Sequence, residues 1–183
     1  KKALGKSVTS YRRTEFVGPK VGGELVQAGI LAVVLSLFAI MVYVWFRFEW
    51  QFSIGAITAL THDVIATIGI FSVLGLEFNL ATVAAILTIA GYSINDTVVV
   101  FDRIRENLRK FKSMEIDALL NLSINDTLSR TLLTSITTLL ALVAIYFFGG
   151  AVIHDFAFAL IWGVLIGTYS SIYVASPVVM RLN

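Results

Sequence analysis

The sequence predicts an all-α membrane protein, and two observations support this fold class. The chain has 183 residues, of which 57% are hydrophobic and 14% charged, whereas globular domains are roughly 45–50% apolar and 25% charged. Its mean hydropathy is +0.86. The apolar residues fall into five runs, and each run is long enough to cross a ~30 Å hydrocarbon core, which takes about 20 helical residues. We therefore expect five transmembrane helices that pack as a bundle.

The composition also excludes several classes of chemistry. The chain has no cysteine, so disulfides and thiolate metal sites are excluded. The two histidines, His62 and His154, have no helical spacing between them, so we do not expect a metal site. We find no phosphate-binding glycine loop and no nucleophile elbow. The sequence therefore predicts neither an enzyme nor a cofactor-binding protein.

Residues 1–19 differ from the rest of the chain because they are polar and basic. Residues 7–11 contain serine, threonine and valine in a proportion typical of a strand. This segment could be the last strand of a soluble domain, or a tail without structure, and the sequence leaves both open. Residues 17–23 (VGPKVGG) are rich in helix-breaking residues and predict a hinge before the first helix. The chain begins with Lys1 rather than methionine, so we expect a piece of a longer protein.

The boundaries of the predicted helices follow the apolar runs and the breakers between them. Aromatic and charged residues at 46–50 (FRFEW) are typical of a membrane interface. Gly149 and Gly150 separate the last two runs, and Pro177 is expected to end or kink the last helix. The five predicted spans lie near residues 24–46, 52–75, 78–101, 129–149 and 153–180.

Residues 102–128 form the one long connection between spans. Apolar residues recur at helical spacing in both of its halves, at Ile104 and Leu108 and again at Leu120 and Ile124. This pattern predicts two short amphipathic helices that lie along the membrane surface. The connection is rich in arginine and lysine, so the positive-inside rule places it, together with the C-terminus, in the cytoplasm. The N-terminal segment is then expected on the opposite side of the membrane.

Small residues recur at every fourth position in three of the spans, which is typical of helices whose backbones approach closely in lipid. We expect these three ridges to be the packing faces of the bundle. They are Ala28, Ala32 and Ser36 in the first span, Gly55, Ala59, Asp63 and Thr67 in the second, and Ala159, Gly163, Gly167, Ser171 and Ala175 in the last.

Asp96 is the most unusual residue of the chain, because it lies about 9 Å inside the charged end of the third span. A carboxylate at the centre of a membrane helix costs roughly 2.5–3.5 kcal/mol. Arg130 begins the fourth span at a similar depth, so the two side chains could pair. An aspartate that alternates between an arginine and a proton is a minimal proton relay, whereas a permanent pair is a structural ion pair. The spacing leaves both interpretations open.

His62 and Asp63 form a second protonatable pair, well inside the second span. They could also take part in a proton pathway. The alternative is a pair that hydrogen-bonds neighbouring helices together, and we favour this structural interpretation.

Residues 91–107 (GYSINDTVVVFDRIREN) resemble the SecF family, the smaller subunits of bacterial SecDF protein-export complexes, within the resistance-nodulation-division superfamily. The resemblance continues through most of the chain. It includes VGPKVGG at 17–23, FRFEW at 46–50, HDV at 62–64, SRTLLTS at 129–135 and GTYSSIYVA at 167–175. It implies a bundle of six spans with a periplasmic domain after the first. The present chain would then lack its first span and most of that domain, so that residues 1–23 are the end of the domain and a hinge.

The resemblance also implies a function. SecF-like proteins use the proton-motive force to complete protein translocation across the inner membrane, so the proton is the coupling ion and no cofactor is expected. The implied partners are SecD, the SecYEG channel, YajC, an unfolded preprotein and membrane lipid. The family's proton-pathway carboxylate falls on Asp96, and its essential arginine falls on Arg130. The resemblance does not say whether SecF is separate from SecD or fused to it.

Two other functions fit a membrane bundle with a buried acid. One is a proton-coupled transporter of small molecules or lipids from the same superfamily, which should carry a larger bundle and extensive outer domains. The other is a structural membrane scaffold, which should tolerate replacement of Asp96 by asparagine.

Overall fold

A computed structural model describes residues 19–76, 79–150 and 152–182 of the chain. Within these residues the regular secondary structure is all helical, as the sequence predicts. The helices in chain order are α1 (Pro19–Arg47), α2 (Trp50–Leu74), α3 (Leu80–Lys110), α4 (Ile116–Phe148), α5 (His154–Ser170) and α6 (Ser176–Leu182). A short π-helical segment, Ser171–Ala175, joins α5 to α6. Five stretches are long and apolar enough to cross a membrane, and the last of them runs from α5 through α6.

The N-terminal prediction is tested only in part, because residues 1–18 lie outside the described residues. The predicted hinge at 17–23 is wrong for its last five residues, which form the first turns of α1. Pro19 is compatible with a helix start, because the first helical residues have no intrahelical partner for a backbone N–H.

The ends of α2 and α3 follow from local sequence. Gly75 terminates α2 in a left-handed conformation with φ 65°, which a residue without Cβ adopts readily. The side chain of Asn79 accepts hydrogen bonds from the backbone N–H groups of Ala81 and Thr82, at 2.9 and 3.2 Å. Because Asn79 caps the helix, α3 begins at Leu80, two residues after the predicted start of this span.

The prediction of two separate short helices at 102–128, lying along the membrane surface, is wrong. The first half of this connection continues α3 to Lys110, and the second half belongs to α4, which begins at Ile116. The two extensions run antiparallel, and Asn107 Nδ2 donates to Ser123 Oγ at 2.9 Å between them. Their apolar stripes bury Ile104 and Leu119 against the bundle. Because each stripe finds a protein surface to cover it, neither helix needs the membrane surface.

The last predicted span, 153–180, is interrupted in the structure by the π-helical segment. Pro177 follows this segment, and a proline inside a helix cannot donate a backbone hydrogen bond. The hydroxyl of Ser176 donates to the carbonyl of Ser171, five residues earlier, at 3.1 Å. The wider turn therefore accommodates the proline, and the helix continues through α6.

α3 occupies the centre of the bundle, where it contacts α1, α2, α4 and α5. It runs parallel to α5, because the backbone of Gly163 faces Ile89 and that of Gly167 faces Ser93 one turn further along both helices. A Cβ on Gly163 would overlap the side chain of Ile89. Glycine at this position is therefore what allows α3 and α5 to lie so close together.

Two of the three predicted small-residue ridges are packing faces. All members of the α2 ridge and of the ridge that runs from α5 into the π-helical segment are buried. The prediction for α1 is wrong, because Ala28 is exposed and Ala32 and Ser36 are only partly covered. α1 packs instead through Gly29, which faces Val83 of α3, and through Val44 near its end.

Three phenylalanines form an aromatic core at the end of the bundle where α1 meets α2. The ring of Phe101 lies 5.0 Å from that of Phe52 and 6.1 Å from that of Phe48 between centroids, with edge-to-face geometry. In the predicted interfacial motif at 46–50, Phe48 therefore belongs to the core. Its neighbours Phe46 and Trp50 are 89% and 52% exposed.

Candidate functional site

Asp63 is a completely buried carboxylate at the centre of the bundle, with 0% exposure. Its Oδ2 accepts hydrogen bonds from Ser93 Oγ of α3 at 2.6 Å and from Ser170 Oγ of α5 at 2.8 Å. Its Oδ1 lies 3.1 Å from His62 Nδ1. One acid on α2 therefore joins three helices, and each oxygen has a polar neighbour.

The close approach of the helices places the two serines. A Cβ on Gly167 would lie 3.1 Å from Ser93 Cβ and 3.3 Å from its Oγ, so glycine lets the backbone of α5 reach Ser93. Ser170 lies less than one turn after Gly167, on the face that meets α2. Gly55 plays the same part between α2 and the last helix, where a Cβ would lie 2.8 Å from the side chain of Val179.

His62 lies at the edge of this cluster, with 37% of its side chain exposed. Its ring centroid is 6.1 Å from that of Tyr169 in α5. The imidazole therefore connects the buried carboxylate of Asp63 to the outer surface of the bundle. This geometry is compatible with a hydrogen-bonding role for the pair and also with a proton entering through His62.

Asp96 is also buried, with 3% exposure, but its environment is different. No hydrogen bond or ion pair to its side chain occurs within the described residues, and Oδ2 is a buried oxygen without any partner. Two further buried hydroxyls lack partners, those of Tyr92, one helical turn before Asp96, and Thr131 in α4. A buried polar atom without a partner is rare in folded proteins, so each instance calls for an explanation.

Arg130 lies close enough for its charge to act on the Asp96 carboxylate. The predicted direct pair is not formed, because no hydrogen bond or ion pair joins these two described side chains. The burial pattern of α4 gives the reason. Thr127 and Thr131 face the bundle, whereas Arg130 lies beside them on the exposed side of the helix. Asp96 is therefore inside the bundle and Arg130 at its surface.

Other charged residues of α3 form ion pairs at the end of the bundle. Arg103 contacts Glu106 on its own helix and Asp126 on α4, at 2.7 and 2.8 Å. Arg47, at the end of α1, contacts Asp102 at 2.9 Å. These pairs connect helix ends, and they leave Asp96 as the buried carboxylate of α3 without a partner in the described residues.

Ser93 and Ser170 are the site residues that the sequence analysis missed. A weak signal was available for Ser93, which lies three residues before Asp96 in the conspicuous segment 91–107. No local pattern distinguishes Ser170 from the neighbouring Ser171. Among the described residues, no group of three or more histidine, cysteine, aspartate or glutamate side chains could hold a metal ion.

Comparison with known proteins identifies the family. A family described as "Protein export membrane protein SecD/SecF, C-terminal" matches residues 1–183. The chain belongs to this SecD/SecF family. Individual relatives agree with the assignment. The chain is 55% identical to the protein translocase subunit SecF of Cereibacter sphaeroides over 182 residues, which cover 100% of the chain and 56% of the relative.

A second relative and two solved structures extend the likeness. The SecF subunit of Rhodobacter capsulatus is 58% identical over 176 residues, which cover 96% of this SecD/SecF-family chain and 52% of the relative. SecDF of Thermus thermophilus superposes with a TM-score of 0.85 at 51% identity, over 90% of this chain and 23% of the other. SecDF in a super-membrane-facing form gives 0.82 at 48% identity, over 91% and 22%.

The chain spans about half the length of the curated SecF relatives it matches. Its identity with them and the superposition on SecDF both support the bundle as a part of the SecD/SecF fold. The resemblance expected from the motif at 91–107 is therefore confirmed.

Proposed function

We propose that this chain is the membrane-embedded part of a protein-translocase subunit that couples the proton-motive force to preprotein translocation. The observation that carries the proposal is Asp96, a carboxylate buried in an apolar helix with no hydrogen-bond partner in the described residues. The relatives named protein translocase subunit SecF provide the biological context.

The proposed relay uses two states of Asp96. A proton that binds the carboxylate neutralises it, which removes the penalty for burying a charge. When the proton leaves, the carboxylate is stabilised by the positive charge of Arg130, provided that the two side chains approach each other more closely than they do here. Because the two states favour different distances between α3 and α4, protonation would bias the arrangement of these helices.

We assign the His62–Asp63 pair a structural role in this proposal. Asp63 already accepts hydrogen bonds from Ser93 and Ser170 on one oxygen, Oδ2, and hydrogen bonds to an ionised acceptor are roughly twice as strong as those to a neutral one. Neutralising this carboxylate would therefore weaken the contact between three helices. The alternative, in which His62 passes protons to Asp63, predicts that this pair is as essential as Asp96.

The proposed setting is the bacterial inner membrane. SecD is the proposed direct partner, and SecYEG, YajC and the unfolded preprotein are the further partners that a SecF-like role requires. The proton is the coupling ion, no cofactor takes part, and no covalent catalysis is involved. The arginine-rich end of α3 and the C-terminus face the cytoplasm, and the N-terminal segment faces the periplasm.

Replacing Asp96 with asparagine tests the relay directly. In the full-length protein with its partners in proteoliposomes, Asp96→Asn should reduce proton-dependent stimulation of preprotein export at least tenfold, because an amide does not titrate. Arg130→Gln should have a similar effect, and Arg130→Lys should retain part of the stimulation because it keeps the charge.

Asp117→Asn is the matched control, because it makes the same change at an exposed carboxylate of α4. The control should leave stimulation unchanged, and complex assembly should be intact in every variant. Full stimulation by Asp96→Asn would remove the relay and leave a structural scaffold as the better interpretation.

The proposed orientation has its own test. The chain contains no cysteine, so a single cysteine at exposed Lys112 can be labelled without background from this chain. A membrane-impermeant maleimide should label it in inverted vesicles and not in intact spheroplasts. Labelling from the outside would invert the orientation of every helix while leaving the relay geometry unaffected.

A further inference from the structure

A cavity of about 430 Å³ opens at the end of the bundle where α1 and α3 terminate. Its volume is within the range of small-molecule sites, roughly 300–1,000 Å³. The proposed relay does not use this cavity, and its lining is polar and strongly charged. The lining residues are Arg47, Asp102, Arg105, Glu106, Arg109 and Lys110.

The charges of the lining do not balance. Both carboxylates are already paired, Asp102 with Arg47 at 2.9 Å and Glu106 with Arg103, which lies outside the lining, at 2.7 Å. Within the described part of the chain, the three remaining cations, Arg105, Arg109 and Lys110, form no salt bridge. The cavity therefore presents a local excess of positive charge to any ligand that enters it.

Arg105 is oriented by neighbouring groups but has no anionic partner among the described residues. Its Nη1 donates to the backbone carbonyl of Arg47 at 3.3 Å, and its guanidinium lies 6.0 Å from the ring centroid of Phe48. Its Nε is buried and has no acceptor. An arginine that is oriented in advance and lacks an anion loses little conformational freedom when an anion binds.

The surroundings of the cavity are those of a membrane interface. Arg47 is flanked in sequence by exposed Trp45 and Phe46, and Trp50 begins the next helix. Aromatic side chains of this kind concentrate at the level of the lipid headgroups. The unpaired cations thus lie where a lipid phosphate is available, with exposed apolar side chains nearby to contact its acyl chains.

We propose that this cavity binds the phosphate group of an anionic membrane lipid, with Arg105 and Arg109 as the principal donors and Lys110 as an additional cation. Guanidinium groups match phosphate oxygens through paired N–H donors, so they are suited to this ligand. The inference is independent of the proton relay, because it involves neither Asp96 nor Arg130.

A lipid titration by native mass spectrometry tests the proposal on the full-length protein in detergent. Phosphatidylglycerol should bind the unmodified protein more tightly than phosphatidylcholine. A basic residue near an anionic headgroup contributes roughly fivefold in affinity. The affinity of the Arg105→Gln/Arg109→Gln variant for phosphatidylglycerol should therefore fall about twentyfold or more, whereas its affinity for phosphatidylcholine should change little.

The Lys112→Gln/Arg181→Gln variant is the matched control, because it removes two exposed cations outside the lining. Its affinity for phosphatidylglycerol should fall less than threefold. An equal loss in both variants would overturn the proposal in favour of a general effect of surface charge, and no loss in the Arg105→Gln/Arg109→Gln variant would overturn it directly.

Two further measurements keep the result interpretable. Arg109 is exposed and forms no hydrogen bond in the described structure, so the single variant Arg109→Gln should fold normally. Its affinity for phosphatidylglycerol should fall about fivefold. Titration with inorganic phosphate distinguishes the two sources of the phosphate group. Phosphate that binds as tightly as phosphatidylglycerol, with the same dependence on Arg105 and Arg109, would overturn the lipid as the ligand.

Discussion

Asp63 and Asp96 are both buried carboxylates in membrane-spanning helices, but they differ in the hydrogen-bond donors that surround them. Asp63 accepts hydrogen bonds from serines on two other helices and has His62 beside it. Asp96 has an oxygen with no hydrogen-bond partner among the described residues, and Arg130, whose charge acts on it, lies at the surface of the bundle. Burial alone therefore does not identify a functional acid in this fold.

The difference lies in what the neighbouring helices supply. Around Asp63, glycine at 167 lets α5 approach α3 so closely that two hydroxyls converge on one oxygen. A carboxylate with all its hydrogen bonds made is stabilised in one state and is costly to change. A carboxylate left without donors is free to exchange between a proton and a cation, as proposed for Asp96.

Among these variants, Asp63→Ala should lower the stability of the protein most. Asp63→Ala leaves the buried hydroxyl of Ser93 without its acceptor, which costs about 1–3 kcal/mol. The hydroxyl of Ser170 keeps only the carbonyl of Gly167, at 3.2 Å, and loses a hydrogen bond to a charged group, which contributes about 1.5–3 kcal/mol. We expect the free energy of unfolding in detergent to fall by about 2–4 kcal/mol on this basis. The control Asp117→Ala, at an exposed position in the first turn of α4, should change it by less than about 1 kcal/mol, the contribution of an acid at a helix N-terminus. Equal effects of the two variants would refute the role of Asp63 as an anchor.

A smaller loss of stability is expected when Gly167, which lets α5 approach Ser93, is replaced by alanine. In Gly167→Ala, the added Cβ would lie 3.1 Å from Ser93 Cβ, and Ser93 cannot move away without lengthening its 2.6 Å bond to Asp63. We expect a net loss of about 1 kcal/mol from the low end of overpacking costs. Gly91→Ala, where nothing lies within 4 Å of the new Cβ, should be neutral or slightly stabilising. Thermal unfolding of both variants checks the difference, and a stable Gly167→Ala would show that the serine contact tolerates movement.

The smallest expected effect on stability belongs to the acid that we propose to be functional. Asp96→Asn breaks no hydrogen bond in the described structure and removes a carboxylate from an apolar environment, so its free energy of unfolding should stay within about 1 kcal/mol of the unmodified protein. Asp63→Asn should be less stable than Asp96→Asn, because hydrogen bonds from Ser93 and Ser170 to an ionised carboxylate are roughly twice as strong as those to a neutral amide carbonyl. If the two variants lost the same stability, both acids would be structural and the distinction between them would fail.

The general architecture could be predicted from the sequence because it depends on local properties. Span length and hydropathy are set by residues adjacent in the chain, and the ridges of α2 and α5 were recognisable from small residues at every fourth position. The same rhythm in α1 predicted the wrong face. Ala28, Ala32 and Ser36 have the right spacing, but the pattern does not say which helices are present to cover them.

The helical connection shows a similar limit. Its apolar stripes were recognised correctly, but whether they cover lipid or protein depends on the partner surface. Ile104 and Leu119 are buried because α3 and α4 extend beyond their spans and pack against each other and the aromatic core. Such contacts join residues far apart in the chain, so no local window contains them.

The residues alone predict an all-helical membrane bundle, an acid inside each of two spans, and membership of a protein-export family. Which of the two acids accepts hydrogen bonds follows only from the folded bundle, because the donors to Asp63 lie 30 and 107 residues away along the chain. Hydrogen bonds require atoms about 3 Å apart, and such distances are set by how closely helices pack. The chemical difference between Asp63 and Asp96 therefore arises only when the helices assemble.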